Sequence, residues 1–118
     1  MNYDKLEKLI NESFEIKEKV GPKSDKKLIK AINETINLVD SGKIRVANKN
    51  NGNWIVNQWI KKAILLSFRI NEMTMSKGPY TTWYDKIPGK SVSWNENDWK
   101  NAGYRHVPNG VVRKGSYI

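Results

Sequence analysis

The sequence contains no Cys and only one His, His106, among its 118 residues. Without thiols the chain cannot form a disulfide, a Cys-based zinc site or a cysteine nucleophile, and one imidazole is too few for a His-rich metal site. Long apolar runs are also missing, because the longest unbroken aliphatic run, residues 63–66, is far too short to cross a bilayer. Charged residues are scattered from Asp4 onward, which is not typical of a secretory signal. We therefore expect a cytoplasmic protein that has no membrane partner.

Negative charge is scarce in the second part of the chain. Residues 1–40 hold eight Lys and eight acidic residues, whereas residues 41–118 hold nine Lys, four Arg and four acidic residues. The whole formal net charge of +9 lies in that second part. Such a field attracts anions, whether nucleic acid, coenzyme phosphates or a dicarboxylate, although a lysine-rich face is often only solvated.

Two amphipathic helices are predicted at the start of the chain. Residues 3–20 carry apolar side chains on one face, and Gly21 with Pro22 ends that helix. Ser24 is the expected N-cap of the second helix, which runs to about residue 39 and stops before Gly42. The two helices are expected to pack as an antiparallel pair.

A third helix is predicted over residues 57–70, and it is the most apolar of the three. Apolar side chains fill most of its circumference, which is typical of a helix that is central to its domain or touches a partner. Leu65 lies on its polar side. Ser67 lies inside the apolar arc, where we expect it to bond back to a helix carbonyl.

Period-two patterns predict short strands around this helix. Ile44 and Val46 alternate with polar residues, and a turn at residues 50–52 returns the chain into residues 54–56 as a hairpin. Further strands are predicted at residues 80–87, 104–107 and 111–118, and a short helix starts at an Asn95 cap and is closed by Gly103. The predicted fold is a small α+β domain with an N-terminal helix pair, a short hairpin, a central apolar helix and a few short strands.

No self-contained catalytic set is evident in the sequence. His106 stands alone in a predicted strand, Glu96 and Asp98 lie on one short helix facing solvent, and no glycine-rich phosphate loop is present. All five Trp lie between positions 54 and 99, where they are expected in the core or an interface, although aromatics among lysines can also stack nucleic-acid bases.

The last residues show a feature of another kind. Val112 and Ile118 are six residues apart with Gly115 between them, and a six-residue apolar period is used by left-handed β-helices. We expect this segment to be the first rung of a longer β-helix.

Several stretches together resemble the tetrahydrodipicolinate N-succinyltransferase family. Residues 57–71, NQWIKKAILLSFRIN, resemble its signature helix, and residues 82–88, TWYDKIP, resemble the segment that follows. Residues 103–118, GYRHVPNGVVRKGSYI, are similar to the stretch that leads into that family's β-helix. The segment DSGKIRVA, residues 40–47, and Trp54 also fit the family.

The resemblance implies a homotrimeric bacterial acyltransferase of lysine and diaminopimelate biosynthesis. Members transfer succinyl from the co-substrate succinyl-coenzyme A to the amine of ring-opened tetrahydrodipicolinate, at sites between neighbouring left-handed β-helices. Residues 1–108 then correspond to the N-terminal substrate-recognition domain and residues 109–118 to the lead-in to the first rung, with the chain truncated before the β-helix. Catalytic and coenzyme A-binding groups are expected in that missing part. We therefore expect no catalytic, cofactor-binding or metal-binding residue here and an inactive isolated chain.

Arg105 is the one site residue that the resemblance assigns to this chain. It matches the substrate-binding Arg of the family's aromatic-Arg-x-Val-Pro motif, and a guanidinium offers two parallel N–H donors to one carboxylate of a dicarboxylate. Arg69 and Arg113 are weaker candidates, expected to be structural. His106 departs from the motif, where a small apolar residue is usual, and Asn109-Gly110 replaces a more rigid turn.

Two other functions remain open at this point. The basic charge and the Trp residues also fit a free-standing nucleic-acid-binding module, which would bind with a steep salt dependence. The chain could also be a trimer-docking module without ligand contact. In that case, adding a dicarboxylate such as pimelate would leave the chemical shifts of Arg105 unchanged.

Overall fold

A computed structural model describes residues 2–118 of the chain. Four α-helices and two hairpins follow one another, in the order α1 (Asp4–Glu15), a 3₁₀ turn (Lys17–Lys19), α2 (Lys26–Asp40), β1 (Ala47–Asn50), β2 (Asn53–Val56), α3 (Gln58–Ile70), β3 (Thr74–Lys77), β4 (Thr82–Asp85) and α4 (Glu96–Ala102). The predicted α+β class is confirmed. No helix within these residues is long and apolar enough to span a membrane.

The first three helices pack against one another and bury the apolar stripes that the sequence predicts. One buried cluster joins all three helices and the end of the 3₁₀ turn, and consists of Ile10, Val20, Ile32, Ala63, Leu66 and Ile70. A second consists of Val39, Ile44 and Ile60. Trp59 is half-buried and packs against both clusters. The most apolar helix, α3, is therefore central to the fold, and Leu65 on its opposite side is 52% exposed.

The ends of α2 differ by one residue from the prediction. Asp25 is its N-cap and accepts a hydrogen bond from the Lys27 amide at 2.8 Å, so the prediction of Ser24 as the cap is wrong. The Ser24 hydroxyl is engaged elsewhere, because it accepts a hydrogen bond from the Gly21 amide and closes the preceding turn. Gly42 has φ of +75° just past the helix end, as predicted for a stop signal.

The Ser67 prediction is confirmed. Its hydroxyl donates to the Ile64 carbonyl oxygen at 2.6 Å, which satisfies a polar group that is buried on the packed face of α3.

The first hairpin has the predicted turn but a shorter first strand. Asn51 and Gly52 both have positive φ, at 49° and 81°, as a type I′ hairpin turn requires. Strand β1 begins at Ala47, because Ile44 belongs to the buried core instead of the hairpin. In the second hairpin Thr74 pairs with Asp85, so residues 74–77, which had no predicted strand, form β3 and the strand predicted over 80–87 is confined to 82–85.

The strands predicted at residues 104–107 and 111–118 are wrong. Both segments are irregular, and the only pairing of the second is an isolated bridge between Gly89 and Arg113 in the described chain. A β-prone segment becomes a strand only where a neighbouring edge is available to pair with it. Here Tyr104 and His106 of the first segment pack against Trp99. The second segment is held by backbone hydrogen bonds to Pro88 and Lys90 and by side-chain hydrogen bonds that involve Asp40 and Asp85.

Candidate functional site

Arg105 lies in the irregular segment that follows α4. Its side chain is exposed and makes no ion pair or hydrogen bond with any residue between 2 and 118. No acidic side chain among the described residues pairs with it, so Arg105 is not part of an ion pair within the fold. Its guanidinium therefore keeps all its N–H donors available for an anion.

Helix α4 determines where this segment starts. Asn95 accepts a hydrogen bond from the Asp98 amide, and the Asp98 carboxylate accepts one from the Asn95 amide, both at 2.9 Å. This capping box starts the helix, and Gly103 ends it with φ of 73°. Both ends were predicted from the sequence. Asp98 is therefore used as a cap, so it does not form an acid–base pair with Glu96.

An aromatic cluster surrounds the start of the Arg105 segment. The Trp99 ring lies edge-on to Trp94 at a centroid distance of 4.9 Å and to Tyr104 at 5.6 Å. His106 lies 5.8 Å from the same indole. Tyr104 Oη and His106 Nε2 are buried and have no hydrogen-bond partner among the described residues. Nothing in this arrangement gives His106 the nucleophile that a hydrolytic triad needs.

The two weaker arginine candidates are engaged inside the fold. Arg113 donates two hydrogen bonds to the Asp85 carboxylate in a bidentate arrangement, from Nε at 2.9 Å and from Nη2 at 2.7 Å. This hydrogen bonding from Arg113 lowers the pKa of Asp85, and the Lys86 amide lowers it further. Arg69 pairs more loosely with Glu18 at 3.4 Å. Both guanidinium groups are therefore already paired with acidic residues of this domain.

A buried ion pair that no sequence motif predicts links the end of α2 to the loop after β4. Lys90 Nζ lies 3.0 Å from the Asp40 carboxylate, which also accepts a hydrogen bond from the Gly115 amide at 2.8 Å. The residues are far apart in sequence and carry no motif, so no local signal predicts their contact.

Two clefts are each lined in part by residues of the segment 113–118. One, of about 550 Å³, lies between α2, α3 and the tail and is lined by Phe68, Arg113 and Lys114 among others. The other, of about 400 Å³, lies beside α4 and is lined by Lys90 and Tyr104 among others. Arg105 lines neither cleft, so it presents its charge on an open surface. Between residues 2 and 118, no three His, Asp or Glu side chains are grouped so that they could hold a metal ion.

The fold and this surface define the class of protein. The described residues form a small α+β domain that presents an unpaired guanidinium on a segment anchored by aromatic side chains, without a cluster of catalytic groups. Residues 5–70 match the family model described as tetrahydrodipicolinate N-succinyltransferase N-terminal. The chain belongs to this family, as its resemblance predicted.

Longer proteins of the same family are similar in sequence to this chain over nearly its whole length. The chain is 51% identical over 116 residues to a protein of Pelagibacter ubique, with 96% of this chain and 42% of that protein covered. It is 47% identical to one of Agrobacterium fabrum, covering 96% and 41%, and 42% identical to one of Parvibaculum lavamentivorans, covering 100% and 43%. Each is named 2,3,4,5-tetrahydropyridine-2,6-dicarboxylate N-succinyltransferase. The chain thus spans about two-fifths of the length of these relatives.

Proposed function

We propose that this chain is the acceptor-recognition part of a 2,3,4,5-tetrahydropyridine-2,6-dicarboxylate N-succinyltransferase. In the reaction a succinyl group passes from the thioester of succinyl-coenzyme A to the amine of the ring-opened acceptor, and coenzyme A leaves as the thiol. Arg105 binds one carboxylate of the acceptor. The observation that carries this role is its exposed guanidinium, which is unpaired within residues 2–118, in a chain of this family.

Arg105 contributes by positioning the acceptor. A charge-assisted hydrogen bond from a guanidinium to a carboxylate is worth about 1.5–3 kcal/mol when it is sheltered from water. Two parallel bonds also fix the direction of the carboxylate, which holds the amine of the same molecule near the thioester carbon.

The remaining groups of the reaction belong to the longer enzyme. Coenzyme A binding and proton transfer lie in a left-handed β-helix, residues 109–118 lead into its first rung, and homotrimer formation places each site between neighbouring β-helices. The isolated chain is therefore inactive in succinyl transfer. This part of the proposal is supported by the family match and by the length of the relatives.

A domain-replacement chimera tests the role of Arg105. The matching region of the Pelagibacter ubique relative is replaced by this chain, and succinyl transfer from succinyl-coenzyme A to 2-aminopimelate is measured. Arg105→Ala should lower kcat/KM for the acceptor by about 10-fold or more, with Arg105→Lys intermediate. Arg69→Ala is the matched control, because that arginine is exposed in part and its guanidinium already pairs with Glu18. Equal kinetics for the Arg105→Ala and unmodified chimeras would remove Arg105 from the site.

A second measurement uses the 118-residue chain alone. Pimelate, a stable dicarboxylate, should shift the side-chain Nε resonance of Arg105 in an NMR titration, while the paired Arg113 stays unchanged. An unmoved Arg105 resonance would favour a docking module that has no ligand contact.

One observation favours nucleic-acid binding as a second candidate. Trp54 is 68% exposed, and Lys49 Nζ lies 5.5 Å from its ring, which is an arrangement suited to a stacked base. Binding of single-stranded oligonucleotides by fluorescence anisotropy distinguishes the two functions. Tight binding that falls steeply with salt, and that Trp54→Ala removes, would support this candidate over acceptor recognition.

A further inference from the structure

The residues on either side of Arg105 are anchored to one indole. The Tyr104 ring stands edge-on to Trp99 at 5.6 Å and 74°, and the His106 ring lies 5.8 Å from Trp99. Tyr104 and His106 are half-buried, whereas Arg105 between them is exposed. The backbone of Arg105 is therefore held at both neighbours while its side chain points away from the cluster.

The indole itself is fixed by its helix. Trp99 lies on α4, which has only seven residues and would not be stable on its own. The capping box at Asn95, the left-handed Gly103 and the edge-on contact of Trp94 with Trp99 at 4.9 Å compensate for this short length. The helix that carries Trp99 is thus stabilised at both of its ends.

His106 is also packed closely against the turn that contains Gly110. A Cβ added at Gly110 would lie 2.8 Å from His106 Cδ2 and 3.0 Å from the Val107 carbonyl oxygen. The imidazole therefore contacts both the Trp99 indole and the turn that contains Gly110. Its Nε2 is buried without a partner in the described chain, so the ring is held there by packing and not by a hydrogen bond at that atom.

We propose that Trp99 is a positioning residue for Arg105, which fixes the backbone on both sides of the arginine so that its guanidinium meets the acceptor carboxylate from a preset point. This inference rests on the proposed function of Arg105. A segment that is ordered beforehand loses less conformational freedom on binding than a mobile one, so the anchor raises affinity without touching the ligand. Removing it should weaken carboxylate binding by about 10-fold.

Backbone dynamics of the 118-residue chain test the anchor independently of any ligand. In ¹⁵N relaxation measurements the Arg105 amide should have an order parameter of about 0.85, and Trp99→Ala should reduce it below about 0.6. Trp99→Phe should keep most of the order, because a smaller aromatic ring still contacts Tyr104. Trp59→Ala is the matched control: it removes a half-buried Trp that packs on both core clusters, so it lowers stability without touching the Arg105 segment.

A variant at Gly110, which also lies against His106, keeps the test valid if Trp99→Ala fails to fold. Gly110→Ala should displace the imidazole and mobilise Arg105 while leaving α4 intact. An Arg105 amide that stays equally ordered in the folded Trp99 and Gly110 variants would overturn the proposal.

Kinetics of the chimera separate positioning from a general structural role. Trp99→Ala should raise the acceptor KM about 10-fold and leave the succinyl-coenzyme A KM unchanged, and it should have little further effect when Arg105 is already Ala. Equal changes in both KM values would contradict positioning. If Arg105→Ala has no kinetic effect, the proposed function fails, whereas the relaxation experiment still decides whether Trp99 orders the segment.

Discussion

Lys90 Nζ donates a hydrogen bond to the backbone carbonyl oxygen of Asp40 at 2.7 Å and forms an ion pair with the Asp40 carboxylate Oδ1 at 3.0 Å. Asp40 is the last residue of α2, and its carboxylate also accepts a hydrogen bond from the Gly115 amide. Only 8% of the Lys90 side chain is exposed, so water screens this pair weakly. The contact joins the end of α2, the loop after β4 and the tail of the chain.

Lys90→Met should therefore destabilise the domain strongly. The substitution keeps the side-chain length but leaves the shielded Asp40 carboxylate without its main cation, so we expect a loss of about 3 kcal/mol in the free energy of unfolding. Urea denaturation followed by tryptophan fluorescence measures it. Lys100→Met is the control, since Lys100 pairs with Glu96 at 3.6 Å in full solvent and should matter by less than about 0.5 kcal/mol. Similar losses for both variants would refute the importance of shielding.

The Arg113–Asp85 contact should make stability depend on acid pH. Hydrogen bonds from Arg113 hold the pKa of Asp85 below its usual value, so the folded state favours the ionised carboxylate. The resulting stabilisation is present above the unfolded pKa of about 3.9 and is lost as the pH falls through the lower folded value. Urea midpoints measured from about pH 6 to about pH 2 should show the unmodified chain losing its advantage over Asp85→Asn. A constant difference across that range would contradict this assignment.

Adjacent leucines on α3 should respond very differently to truncation. Leu66 is 0% exposed in the cluster that joins the three helices, whereas Leu65 is 52% exposed. Leu66→Ala removes buried apolar contacts and leaves a cavity, so we expect a loss of about 3 kcal/mol, against less than about 0.5 kcal/mol for Leu65→Ala. Chemical denaturation of both variants checks the difference. Equal sensitivity would mean that α3 packs with another face.

Two glycines offer a similar comparison of backbone strain. Gly42 has φ of +75°, and a Cβ there would lie 2.7 Å from the Tyr117 ring, whereas a Cβ at Gly21 meets nothing within 4 Å. Gly42→Ala should cost about 1–2 kcal/mol and displace Tyr117 from Arg45, whose guanidinium carbon lies 5.0 Å from that ring. Gly21→Ala should be neutral or slightly stabilising. Thermal unfolding and the Tyr117 ring resonances report the two effects, and a stable Gly42→Ala variant with an unmoved Tyr117 ring would contradict them.

The sequence by itself determined the elements whose signals lie among near neighbours. The apolar arc of α3, the Asn51-Gly52 turn and the Asn95 and Gly103 ends of α4 were all predicted, because helix periodicity, turn conformation and capping depend on residues a few positions apart. The family was also visible in the sequence, and with it the choice of Arg105.

Only the tertiary structure decided which of the remaining segments pair and which side chains are engaged. Residues 104–107 have strand-forming side chains but no adjacent edge, so Tyr104 and His106 pack on Trp99 instead, while residues 74–77 gain a partner in β4. The Asp40–Lys90 pair depends on segments that are distant along the chain. The same is true of the difference between Arg113, which pairs with Asp85, and Arg105, which pairs with no described residue. Such contacts follow from how the packed helices place the loops in space, and no local pattern of residues specifies that placement.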